Sequence, residues 1–115
     1  MTGETRQGAN GDESGHGVET AVEVLSDEYT CRILAALDGG PMPAADLAEA
    51  CDMSRATAYR RLDRLEEIGF VTSGLAYDAD GHHRKRYRLR LEELHIEVGA
   101  GGVGGSVSLA EAPAD

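Results

Sequence analysis

At Gly69 the hydrophobic period of this chain changes, and few folds accommodate what lies on either side of it. Before Gly69, apolar residues recur at three- and four-residue steps. After it they alternate. A chain patterned this way builds helices first and a β-hairpin afterwards, which is an α+β fold.

The first helical segment is Val22 to Leu37, where Val22, Leu25, Tyr29, Ile33, Leu34 and Leu37 share one face. Ser26, followed by Asp27 and Glu28, is the candidate cap for its main part. Gly39 and Gly40 stop it. Pro41-Met42-Pro43 is rigid and extended, and is a candidate very short strand. A second helix runs from Ala44 to about Cys51 with Leu47 and Ala48 inward. After the short Asp52-Met53 connection, Ser54 caps a third helix that runs to Ile68.

Beyond Gly69, Phe70, Val71, Leu75 and Tyr77 suggest a strand, and Asp78 to Gly81 reads as a turn. Arg84 to Leu91 alternates again, with Tyr87, Leu89 and Leu91 on one face and Arg84, Arg86, Arg88 and Arg90 on the other. Together these segments predict a hairpin with a charged exposed side. Leu94, Ile96 and Val98 predict a third strand, and Ser106 to Leu109 is a candidate fourth. The polar, Gly-rich residues 1–20 and the Gly-rich residues 99–115 read as a disordered tail and a flexible tail. That leaves a single domain over residues 21–98.

The order helix, helix, helix, hairpin, with a tight turn before the third helix, resembles the winged helix-turn-helix regulators. Within them it is similar to the arsenic-repressor-like (ArsR-like) family. The resemblance covers about residues 22–91. Its most specific part is DLAEACDMSRATAYRRLDRLEEIGFV, followed by the hairpin that ends in RKRYRLRL. It implies a sequence-specific transcriptional regulator of double-stranded DNA, with the third helix (54–68) in the major groove. The wing (76–90) would lie on the backbone or in the minor groove.

Carried over residue by residue, the resemblance gives Arg55, Thr57, Tyr59 and Arg60 contacts with base edges or adjacent phosphates. Ser54 and the free amides of the first turn would hold a phosphate. Arg61 and Arg64 would be phosphate ligands. His82, His83, Arg84, Lys85 and Arg86 would meet the backbone or minor groove. The helical wheel agrees with this division. Ala58, Leu62, Leu65 and Gly69 fall on one face with Ile68 beside them, while Arg60 and Arg64 point away. The basic residues cluster in the N-terminal half and the acids in the C-terminal half.

Charge placement fits the same reading. The net charge is -10, but nine bases and five acids between Ser54 and Leu91 sum to +4, so the remainder carries -14. A DNA binder needs a local positive face rather than a positive total. Ten of the eleven bases are Arg, and this acidic, Lys-poor composition resembles that of proteins from salt-loving archaea.

With no run of about 18 apolar residues and no signal-peptide pattern, the expected location is the cytoplasm. Cys31 and Cys51 read as small buried thiols, not as a metal or disulfide site. No metal, cofactor or enzyme motif stands out, so the expectation is a protein that is not an enzyme. A core this small favours a homodimer. Without a long helix after the wing, Val22–Leu25 and the strands after Glu93 remain for the contact. Two other readings stay open: a winged-helix protein-interaction module, and a regulator that responds to a thiol signal or a small-molecule effector.

Overall fold

The first helical segment is two helices rather than one. The computed structural model describes residues 17–77, 79–81 and 83–111, with α1 at Val18–Leu25 and α2 at Glu28–Leu37. Ser26 closes α1, its hydroxyl donating to the Glu23 carbonyl at 2.7 Å. Asp27 opens α2, its carboxylate accepting from the Thr30 backbone N–H at 2.8 Å. The cap of α2 is therefore Asp27, not Ser26. Two adjacent polar residues, each bonded to nearby backbone, end one helix and begin the next.

The break shifts the phase of the apolar face. Ala21, Val24, Ile33 and Leu37 are buried, whereas Val22 and Tyr29, inward on a continuous helix, are 43% and 38% exposed. Helix α1 also starts inside the stretch expected to be an N-terminal tail. Residues 1–16 of that stretch, and residues 112–115, lie outside the described residues.

Helices α3 (Ala44–Ala50) and α4 (Arg55–Glu67) follow. Between them Asp52 takes a left-handed conformation with φ 58°. The Met53 N–H donates to the Ala48 carbonyl at 3.0 Å and the Asp52 N–H to that of Glu49 at 3.3 Å. This is the helix stop that glycine usually provides, and Asp is one of the few other residues that tolerates it. Gly69, with φ 85°, closes α4 in the same way, and the Phe70 N–H reaches the Leu65 carbonyl at 2.9 Å. Leu47, Ala58, Leu62 and Leu65 are fully buried, so α3 and α4 meet through the faces that their periodicity predicts.

Strands β1 (Val71–Tyr77) and β2 (His83–Leu89) form an antiparallel ribbon with Val71 opposite Leu89 and Tyr77 opposite His83. Met42, between two prolines, adds one rung to β2: its N–H donates to the Tyr87 carbonyl at 3.0 Å and accepts in return at 2.8 Å through its own carbonyl. The strand expected to continue to Leu91 stops at Leu89. The Arg90 and Leu91 N–H groups both donate to the Phe70 carbonyl, at 2.9 and 3.0 Å, and turn the chain into β3.

Strands β3 (Leu91–Gly99) and β4 (Gly102–Leu109) make a second antiparallel ribbon. Most of the segment expected to be a flexible Gly-rich tail is therefore paired. Val107 of β4 is 1% exposed within the core, so the folded unit extends past residue 98. The architecture is α+β, with one helix more than expected and both additional strands present. Among the described residues, no helix is long and apolar enough to cross a membrane.

Candidate nucleic-acid interface

Helix α4 starts on Ser54, whose hydroxyl accepts from the Thr57 N–H at 3.0 Å and donates to Thr57 Oγ1 at 3.0 Å. The two hydroxyl groups thus cap the helix together, and Thr57 is half-buried beside the cap. Arg55 and Arg60 are exposed, and neither forms an ion pair among the described residues. Tyr59 between them is 48% exposed. The N-terminal half of α4 therefore presents two exposed guanidinium groups and a phenol to solvent.

The other two arginines of α4 are engaged within the protein. Arg61 donates through Nε and Nη2 to the two carboxylate oxygens of Asp27, at 2.9 and 3.3 Å. Its guanidinium also lies 5.9 Å from the Tyr29 ring centre. This hydrogen bond is the main reason that the Asp27 pKa falls from 3.8 to about 2; the Thr30 bonds add to it and partial burial opposes it. Arg61 rises correspondingly, chiefly through the same bond to Asp27. Arg64 pairs with Glu67 at 3.1 Å and with Glu23 of α1 at 3.7 Å. Both residues, expected from the sequence as phosphate ligands, sit in ion pairs that join α4 to the first two helices. Asp27 and Glu23 lie too far away in sequence for any local pattern to reveal these partners.

The wing divides its basic run between two faces. Paired residues of an antiparallel ribbon project to the same side. Arg84, Arg86 and Arg88 stand opposite the small residues Ala76, Gly74 and Thr72 on one face, with Arg84 and Arg88 exposed and Arg86 partly buried. His83 and Lys85 lie on the other face, opposite Tyr77 and Leu75. Arg84 reaches Asp46 of α3 at 3.5 Å. The Lys85 ammonium is 5.3 Å from the Tyr87 ring centre, and its pKa is raised by Tyr87 first, with smaller contributions from Glu66 and Asp63. The His83 and Tyr77 rings meet edge to face at 4.3 Å. Leu75 and Tyr77 are 64% and 73% exposed, which gives this face an apolar component that alternation alone did not suggest. His82 lies outside the described residues. Arg90 leaves the wing altogether and donates to the Ala110 carbonyl at 3.0 and 2.8 Å, fastening the end of β4.

The cysteines differ from each other. Cys51 is buried, and burial raises its pKa. Cys31, expected to be buried, is exposed, with its thiol 3.1 Å from the Leu25 carbonyl. It lies on the side of α2 away from the buried Thr30, Ile33 and Leu37. Among the described residues, no three His, Cys, Asp or Glu side chains are grouped to hold a metal ion.

Residues 25–74 match the family model of a helix-turn-helix domain. That span runs from the end of α1 through the middle of β1 and contains all of α4. No curated protein matches the chain in sequence. With β1 and β2 following the matched segment, the fold is a winged helix-turn-helix.

Proposed function

We propose that this protein is a sequence-specific, double-stranded DNA-binding transcriptional regulator. In this reading α4 enters the major groove and the β1–β2 wing lies on the backbone or in the minor groove. The observation that carries it is the contrast along α4: Arg55 and Arg60 are exposed and make no ion pair among the described residues, while Arg61 and Arg64 are neutralised by the body. Exposed arginines flanking an exposed tyrosine at the start of a recognition helix suit base edges and their adjacent phosphates. Ser54 and the first-turn amides suit a phosphate. The wing adds arginines on one face and a mixed apolar and basic face on the other.

The role is binding, not catalysis, and it belongs in the cytoplasm, where DNA is the partner. We assign the chain to the ArsR-like regulators of haloarchaeal type on its motif and its acidic, Lys-poor composition, and we expect it to act as a homodimer.

Replacing Arg60 by Ala tests the reading. On DNA selected by the protein from a random pool, affinity should fall by about 1–3 kcal/mol more than on unselected DNA. Equal losses on the two would show that Arg60 does not read bases.

A further inference from the structure

The strands of the wing differ in charge from the rest of this acidic chain. They hold Arg84, Lys85, Arg86 and Arg88 and no acid, in a molecule whose net charge is -10. The bases are only part of the wing's surface. Val71, Ser73, Leu75 and Tyr77 pair with Leu89, Tyr87, Lys85 and His83, and paired residues share a side. The root of this face is in the core, where Val71 and Tyr87 are 1% exposed. It borders α4, because the Ser73 hydroxyl donates to the Glu66 carboxylate at 2.6 Å. Beyond the root, Leu75 and Tyr77 stand 64% and 73% exposed. Two columns thus run side by side up the outer half of the wing. Leu75 and Tyr77 on β1 are mainly apolar, while Lys85 and His83 on β2 are polar, about 5 Å away across the ribbon. At the tip the columns touch, with the Tyr77 and His83 ring centres 4.3 Å apart.

We propose that Leu75 and Tyr77 pack against the deoxyriboses of a DNA strand, giving the wing a contact whose strength does not depend on salt. The proposal rests on the DNA-binding reading and extends it to two residues outside the basic run. Charge complementarity selects the occupant. A DNA strand alternates anionic phosphates with sugars that offer C–H surface, and the outer wing sets a cationic column beside an apolar one. Charge also selects the height on the wing. Glu66 and Asp63 of α4 are within electrostatic reach of Lys85, so the root of this face repels phosphate. A strand held by the wing therefore passes further out, at the level of Leu75 and Tyr77. Burying these two side chains there adds affinity without releasing counterions, unlike each arginine or lysine set on a phosphate.

The affinity of the full chain for a random-sequence DNA duplex, measured by fluorescence anisotropy from about 0.1 to 0.5 M KCl, yields a magnitude and a salt slope. Leu75→Ser with Tyr77→Ser should lower affinity about tenfold at every KCl concentration and leave the slope as in the wild type. Both side chains are exposed, so the circular-dichroism spectrum and the melting temperature should not change. Tyr77→Phe should bind as the wild type does, because the ring and not the hydroxyl makes the contact. A double variant that binds as tightly as the wild type would overturn the proposal and leave DNA binding in place. So would a double variant with a flattened slope, or a Tyr77→Phe variant as weak as the double variant. A wild type that binds no duplex across the series would instead overturn the DNA-binding reading, and this inference with it.

Discussion

Asp27 holds the Thr30 N–H, the Thr30 hydroxyl and both donors of Arg61 at once. One carboxylate therefore starts α2 and ties it to α4 through Arg61, while the buried Ala58, Leu62 and Leu65 orient α4. Its folded pKa of about 2 lies below the unfolded value near 3.9. The stabilisation is thus complete above about pH 4 and is lost as pH falls through 2. Asn at this position keeps the cap but loses the charge. Asp27→Asn should cost on the order of 1 kcal/mol at pH 7, the upper end for a pair this open to solvent. That deficit should shrink as the pH drops from 4 to 2. Thermal melts across this range decide the matter, and a deficit that persists at pH 2 would mean that shape, not charge, is what Asn disturbs. Single residues such as Asp27 and Asp52 were the least legible from the sequence. The Arg61 partner is 34 positions away, and the left-handed turn at Asp52 shows no glycine to announce it.

Among the elements, α3 and α4 follow their periodicity closely, because Leu47, Ala58, Leu62 and Leu65 leave only one face to bury. The Ser54 cap and the Gly69 stop sit where their residue types suggest. The first segment misled because its apolar residues fit one long helix until two capping residues intervened. The last segment misled because glycines that suggest a flexible loop are also what lets β4 pair closely with β3. The arginine side of the wing was visible in the alternation, but the diversion of Arg90 to Ala110 was not. Replacing Arg84, Lys85 and Arg86 together by Gln should lower affinity on all DNA alike. In a titration of affinity against KCl, the slope should flatten by roughly one for each phosphate that the wing no longer touches. An unchanged slope would show that the wing does not bind phosphate.

At the scale of the molecule, a -14 balance outside the reading region surrounds a +4 balance within it. Acids that repel one another destabilise the compact state at low ionic strength, and a Debye length near 3 Å at 1 M salt, against about 10 Å at 0.1 M, removes most of that cost. The melting temperature should therefore rise with KCl between 0.1 and 2 M. DNA affinity should fall less steeply than about nine bases would imply. A flat or falling melting temperature would reject salt adaptation while leaving the winged helix-turn-helix fold untouched. The single rung at Met42 has a mechanical consequence at this scale. Pro41 and Pro43 lack the N–H groups that would lengthen the rung into a strand, while the Phe70 carbonyl ties down the other side of the ribbon's root. Held by backbone hydrogen bonds on both sides, the root of the ribbon resists bending, so the reach of the wing follows from how many residue pairs it contains.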